Sequence, residues 1–202
     1  MTKINIDSVE SHFDDYIKSY NQCMMNIDKS ALKNVKALMR KTIDDGNWIY
    51  FCGNGGSAEI SNHMECDHLK GISSGTTFKP KINSLSNGIG LITAIANDIN
   101  YEDIFSFRID KLCSKDDLLI AISSSGKSQN VINAIKTANE IGMNTISLTG
   151  FSGGEARTSA DLNLHLDTDN YGVIEDGHQS ILHILAQALR VDGLESPNTT
   201  IL

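Results

Sequence analysis

Two short stretches, Gly53-Asn54-Gly55-Gly56-Ser57 and Ser123-Ser124-Ser125-Gly126-Lys127-Ser128, set small residues and hydroxyl groups directly ahead of helical patterns. Flexible glycines, hydroxyl donors and the unpaired N–H groups of a helix start together favour an anion, above all a phosphate. Beyond the first stretch, His63 and Asp67 are four residues apart and share one helix face, where an imidazole and a carboxylate are placed to hold a metal ion. That pair suits zinc, with cobalt, nickel and manganese also open. Toward the C-terminus Glu175, His178, Gln179, Leu182 and His183 fall on one helical stripe. Its histidines are candidate ligands, or buried core residues beside Ile181, Ile184 and Leu185.

The first stretch, continued to Ala58, also fits the dinucleotide pattern GxGxx(G/A). The acidic residue that would bind a ribose hydroxyl is missing, because the next strand ends in SLSNG, and no GK(S/T) follows to make a P-loop. A phosphomonoester site built mainly by the serine loop is the better reading.

The elements that must position these groups follow from periodicity. Val9, Phe13, Tyr16, Ile17, Tyr20 and Met24 make an amphipathic helix over 7–27. Asp28 or Ser30 can cap a second helix with Leu32, Val35, Leu38, Met39 and Ile43 on its apolar face, stopped by Asp44-Asp45-Gly46. From Trp48 onward strands alternate with helices. The strands are WIYFC, KINSLS, DLLIAIS, NTISLTG and DLNLHLD. Helices are expected from Ser57 to about Leu69, over IGLITAIAN, over YEDIFSFRIDKL, from the serine loop to Gly142, over GGEARTSA, and from about Val173 to Val191. The expected fold is a three-layer αβα sandwich with a mostly parallel sheet of about five strands, preceded by an N-terminal helical pair. One domain is expected over 1–202: a helical hairpin over 1–46, the α/β core over 47–192 and a tail over 193–202.

Composition narrows the class. A chain of 202 residues, 40% apolar and 21% charged, reads as one ordinary soluble domain. The net charge of −8 argues against nucleic acid or a membrane surface as partner, yet leaves a small anionic substrate open because backbone N–H groups bind phosphate without a basic surface. The start MTKINIDSVE lacks a signal peptide's apolar stretch, and Cys23, Cys52, Cys66 and Cys113 contain no CxxC pair. Free thiols and a cytoplasmic location are expected.

Gly53 to Ala58, Ile122 to Ser128, and Ser147-Leu148-Thr149-Gly150 with Gly153-Gly154 together resemble the sugar isomerase (SIS) domain family over nearly the whole chain. Within it the chain is most similar to the phosphoheptose isomerase branch, which converts sedoheptulose 7-phosphate to the heptose 7-phosphate used for surface polysaccharide. The resemblance implies a metal site, usually zinc, at His63, Asp67, Glu175 and His183. It implies substrate contacts at Asn54, Gly55, Gly56, Ser57, Asn97, Asp98, Ser123, Ser124, Ser125 and Ser128. Catalysis falls to Asp67, or failing that Glu175, as base and to His183 as acid. A homotetramer with sites shared between subunits is implied as well.

Three departures accompany the likeness. Asp67 stands where the family has Glu, so its carboxylate reaches about 1.5 Å less. Glu175 stands where the family has Gln, and GISSGTTFKPK supplies only Lys79 and Lys81, besides Lys70, of the family's basic cluster. On a regular helix Glu175 and His183 would lie about 12 Å apart along the axis. One metal holds both only if Glu175 precedes the helix or a neighbouring subunit contributes, and Gln179, one turn before His183, is the easier partner. The competing readings are a non-catalytic SIS module that binds a phosphosugar or a protein, and more distantly a dinucleotide-dependent oxidoreductase.

Overall fold

A computed structural model describes residues 8–194. Helices α1 (Val9–Met25) and α2 (Lys29–Asp44) come first. Ser8 caps α1 in a reciprocal box with Ser11, and Asp28 caps α2 by accepting from the N–H groups of Ser30 and Ala31. Then follow β1 (Trp48–Gly53), α3 (Gly56–Cys66), β2 (Lys81–Ser84), α4 (Ile89–Asp98), α5 (Ser106–Leu112), β3 (Leu118–Ser123), α6 (Gln129–Glu140), β4 (Asn144–Thr149), α7 (Gly154–Ser159), β5 (Leu162–His165) and α8 (Tyr171–Gly193). The five strands are all parallel, in the order β2-β1-β3-β4-β5.

Period-two alternation sorts the apolar side chains into two cores, one on each face of the sheet. Ile49 and Phe51 of β1 and Leu118, Ile120 and Ile122 of β3 face α2, α3 and α8. Tyr50, Cys52, Leu119 and Ala121 face α5 and α6. The expected sandwich with its leading helical pair is therefore present. α2 lies on the sheet itself, with Val35, Met39 and Ile43 in the first core. α1 lies over α8, where the Tyr16 hydroxyl donates to Asp176 at 2.6 Å and the Tyr20 hydroxyl to Ser180 at 2.7 Å.

Two helices differ from expectation. The helix after β1 does not run on regularly to Leu69: at Asp67–Gly71 it widens into a π-helical turn, a feature that often marks functional sites. YEDIFSFRIDKL is not one helix but a 3-10 turn (Tyr101–Asp103) followed by α5, with Ile104 and Phe105 buried at the join. Of the expected tail, Gly193 closes α8, Leu194 bridges to Thr76, and the remainder lies outside the described residues. No helix among the described residues is long and apolar enough to cross a membrane.

The strand order locates the site. The chain leaves β1 toward β2 on one side and returns to β3 on the other, so a crevice opens beyond their carboxyl ends. The register sets Gly53 beside Ile122, which brings the glycine loop and the serine loop together at that crevice.

Candidate active site

The serine loop is fixed by close backbone packing. Gly126 has φ +65°, and a Cβ there would lie 1.8 Å from the Gly153 carbonyl oxygen, so no side chain fits. The Ala156 N–H donates to the Gly126 carbonyl at 3.0 Å and the Gly150 N–H to the Ser124 carbonyl at 2.8 Å, tying the loop to the segment after β4. Ser123 and Ser124 are buried, and the Ser124 hydroxyl has no hydrogen-bond partner among the described residues. A buried hydroxyl left unsatisfied costs about 1–3 kcal/mol, which a ligand at the cavity would recover.

That cavity, of about 120 Å³, is lined by Asn54, Ser57, Ile122, Ser123, Ser124, Ser125, Ser128, Tyr171 and Glu175. It holds every expected hydroxyl contact. Asn54 lines it with its amide already engaged: its Nδ2 donates to Asn130 at 2.8 Å, and its Oδ1 accepts from Asn130 at 2.9 Å and from the Tyr101 hydroxyl at 3.0 Å. Gly55, at φ +55°, turns the chain into α3, and Gly56 opens that helix against Glu175. Asn97 and Asp98 sit exposed at the end of α4, hydrogen-bonded to each other at 2.8 Å, and do not line the cavity.

The second focus lies between α3 and α8. His63 Nε2, Asp67 Oδ2 and His183 Nε2 form a triangle with edges of 3.0 Å (His63–His183), 3.3 Å (His63–Asp67) and 3.0 Å (His183–Asp67). Ligands 2.0–2.2 Å from a tetrahedral ion stand about 3.3–3.6 Å apart, so a triangle that opens by a few tenths of an ångström accommodates a divalent metal such as zinc. The Gln179 amide lies 3.0 Å from His183 Nε2, a fourth polar group at the same point. Glu175 is not in the cluster. It lies within regular α8, two turns before His183, and faces the serine cavity instead. The four ligands expected from the sequence are thus divided, three with the metal-type cluster and one with the anion loops.

His178 lies in the core, fully buried. Burial holds its imidazole, and that of His68, well below the usual range, at about 4 each. Neither is a ligand. Beyond the cluster, a groove of about 250 Å³ is lined by Cys66, Asp67, Lys70, Ser74, His183 and Arg190 among others. Sequence reading passed over Arg190, Tyr101, Asn130 and Tyr171. Asn130 alone left a trace, as a polar residue in the first turn of the helix that follows the serine loop.

Comparison with known proteins identifies the family and the fold. Residues 12–150 match the model of the SIS domain family. The chain belongs to that family. It is 36% identical over 161 residues to a phosphoheptose isomerase of Aliarcobacter butzleri, covering 80% of this chain and 85% of that one. The structure superposes on a phosphoheptose isomerase from Francisella tularensis with a TM-score of 0.84 at 27% identity, covering 92% of this chain and 97% of the other. The corresponding values for a phosphoheptose isomerase from Neisseria gonorrhoeae are 0.82, 27%, 90% and 96%. Within the SIS family the chain falls in the phosphoheptose isomerase branch.

Proposed function

We propose that this SIS protein is an aldose–ketose isomerase of sugar phosphates, taking sedoheptulose 7-phosphate to the heptose 7-phosphate. One observation carries the reading. The serine cavity and the His63–Asp67–His183 triangle lie along a single stripe of α8, marked by Glu175, Gln179 and His183. Their levels differ by about 12 Å along the helix axis, which suits an extended sugar with phosphate at one end and carbonyl at the other.

The phosphate binds at the serine loop, where Ser123, Ser124, Ser125 and Ser128 offer hydroxyls and the start of α6 offers N–H groups. Held there, it fixes carbon 1 and carbon 2 at the cluster and removes much of the entropy of their encounter with the catalytic groups. His63, Asp67 and His183 hold a divalent metal, zinc by the chemistry of its donors, with Gln179 beside them. When bound, such an ion polarises the oxygens of the reacting carbons. Asp67 turns Oδ2 toward both imidazoles, which leaves Oδ1 to act as base. It takes a proton from carbon 1, exchanges it with solvent and delivers one to carbon 2, while Nδ1 of His183, the ring nitrogen outside the cluster, moves a proton between the two oxygens.

The chain works in the cytoplasm as a homotetramer whose subunits share their sites. Support comes from exposed apolar residues: Val9 and Phe13 on α1 are 73% and 63% exposed, and Ile89, at the start of α4, is 80% exposed. Ketose phosphates of five, six and seven carbons, incubated with metal-replete protein and scored by product analysis, test the reading. Conversion of the seven-carbon ketose is expected. Binding without conversion of any substrate would favour a non-catalytic phosphosugar module.

A further inference from the structure

Glu175 places a carboxylate in a cavity otherwise equipped for an anion. Its side chain packs on Gly56, where an added Cβ would meet Oε2 at 2.6 Å and Oε1 at 2.7 Å. Gly56 is the first residue of the 11-residue helix α3, so the carboxylate rests at the positive end of a helix dipole. This accounts for a charge being tolerated there. Within the glycine loop it is Gly56 that meets this carboxylate, and the serine loop remains the place for a ligand's phosphate.

Among the described residues the Glu175 carboxylate accepts no hydrogen bond, although it is half-buried and lines the same cavity as Ser123, Ser124, Ser125 and Ser128. A carboxylate only accepts, and it has about four lone-pair sites to fill. A phosphate on the serine loop cannot fill them, but the hydroxyl groups on the carbons next to that phosphate can. A second anion on those carbons would meet a fixed like charge in a confined, partly desolvated space.

We propose that Glu175 is the specificity-determining residue of the serine cavity: it selects phosphates whose adjacent carbons carry hydrogen-bond donors and rejects those carrying a second negative charge. The proposal rests on the phosphosugar reading of this cavity. It gives Glu175 a task separate from Asp67, which is committed to the two imidazoles.

Two small probes differ in the required way. Glycerol 3-phosphate carries two hydroxyls beyond its phosphate, and 3-phosphoglycerate replaces one CH₂OH by a carboxylate. Phosphorus NMR titrations of full-length, metal-replete protein, with inorganic phosphate as the anchor control, give the ratio of the two dissociation constants. Wild type is expected to favour glycerol 3-phosphate at least tenfold. Glu175→Gln is isosteric and neutral and should cut that ratio at least fivefold, chiefly by tightening 3-phosphoglycerate. Glu175→Asp keeps the charge and should keep a ratio above that of Glu175→Gln. Equal ratios in wild type and Glu175→Gln overturn the selectivity role while leaving the cavity a phosphate site. Failure of wild type to bind even inorganic phosphate overturns the phosphosugar reading and this inference with it.

Discussion

His183 Nε2 stands 3.0 Å from Asp67 Oδ2, although the two residues lie far apart in the sequence, on α8 and on the π-turn that continues α3. The same imidazole nitrogen is 3.0 Å from His63 Nε2. Three groups able to donate electron pairs to one point are thus drawn from two packed helices.

Asp67→Asn tests that cluster. It keeps the shape of the side chain and removes its charge, so one ligand of three weakens and the base is lost together. Bound zinc, measured by elemental analysis after equilibration at limiting free metal, should fall at least tenfold, and turnover should vanish even at saturating metal. Full metal binding with full activity would place both functions elsewhere.

Ser124→Ala separates binding from folding. The Ser124 hydroxyl is buried without a partner among the described residues, so its removal should leave the melting temperature unchanged or slightly raised. Phosphosugar affinity should fall about tenfold, since a hydrogen bond to a charged group contributes about 1.5–3 kcal/mol. Calorimetric titration beside a thermal melt reads both effects, and unchanged affinity would move the phosphate off this loop.

Acid should destabilise the fold through His68 and His178. Both imidazoles are buried and held near 4, below their ordinary value in the unfolded chain. Unfolding therefore takes up protons between about pH 6.5 and 4, and the stability these residues contribute above that window is lost as pH falls through it. Urea denaturation at pH 7.5, 6 and 5 should give steadily lower midpoints. His68→Gln should flatten that slope if it folds, and a midpoint independent of pH would contradict the assignment.

Most of the fold was legible because its cues are local. The apolar runs WIYFC and DLLIAIS mark β1 and β3 as buried strands, and Asp28 announces the start of α2. The glycine and serine loops were legible as turns into helices for the same reason, since glycines and serines ahead of a helix act through their own backbone. What escaped depends on distance in the sequence. The π-turn at Asp67, the Asn54–Asn130 pair and the parting of Glu175 from His183 are consequences of how α3, α6 and α8 pack. Spacing along one helix says that two residues share a face; it does not say which neighbouring loop each one meets.

Phe13 probes assembly. It lies on the outer side of α1, 63% exposed, between Val9 and Ile17 of the same apolar stripe. Phe13→Glu should shift sedimentation from a tetramer toward smaller species at micromolar concentration while leaving the helical signal in circular dichroism intact. A wild-type monomer under those conditions would remove the basis for shared sites.

The central claim is proton transfer at carbon, and deuterium reads it directly. Metal-replete protein is incubated with sedoheptulose 7-phosphate in D₂O, and the product is analysed by mass spectrometry and proton NMR. The account predicts an aldose heptose 7-phosphate carrying deuterium at carbon 2, formed by wild type and not by Asp67→Asn. A protein that binds the ketose phosphate yet yields neither aldose nor carbon-bound deuterium would contradict it.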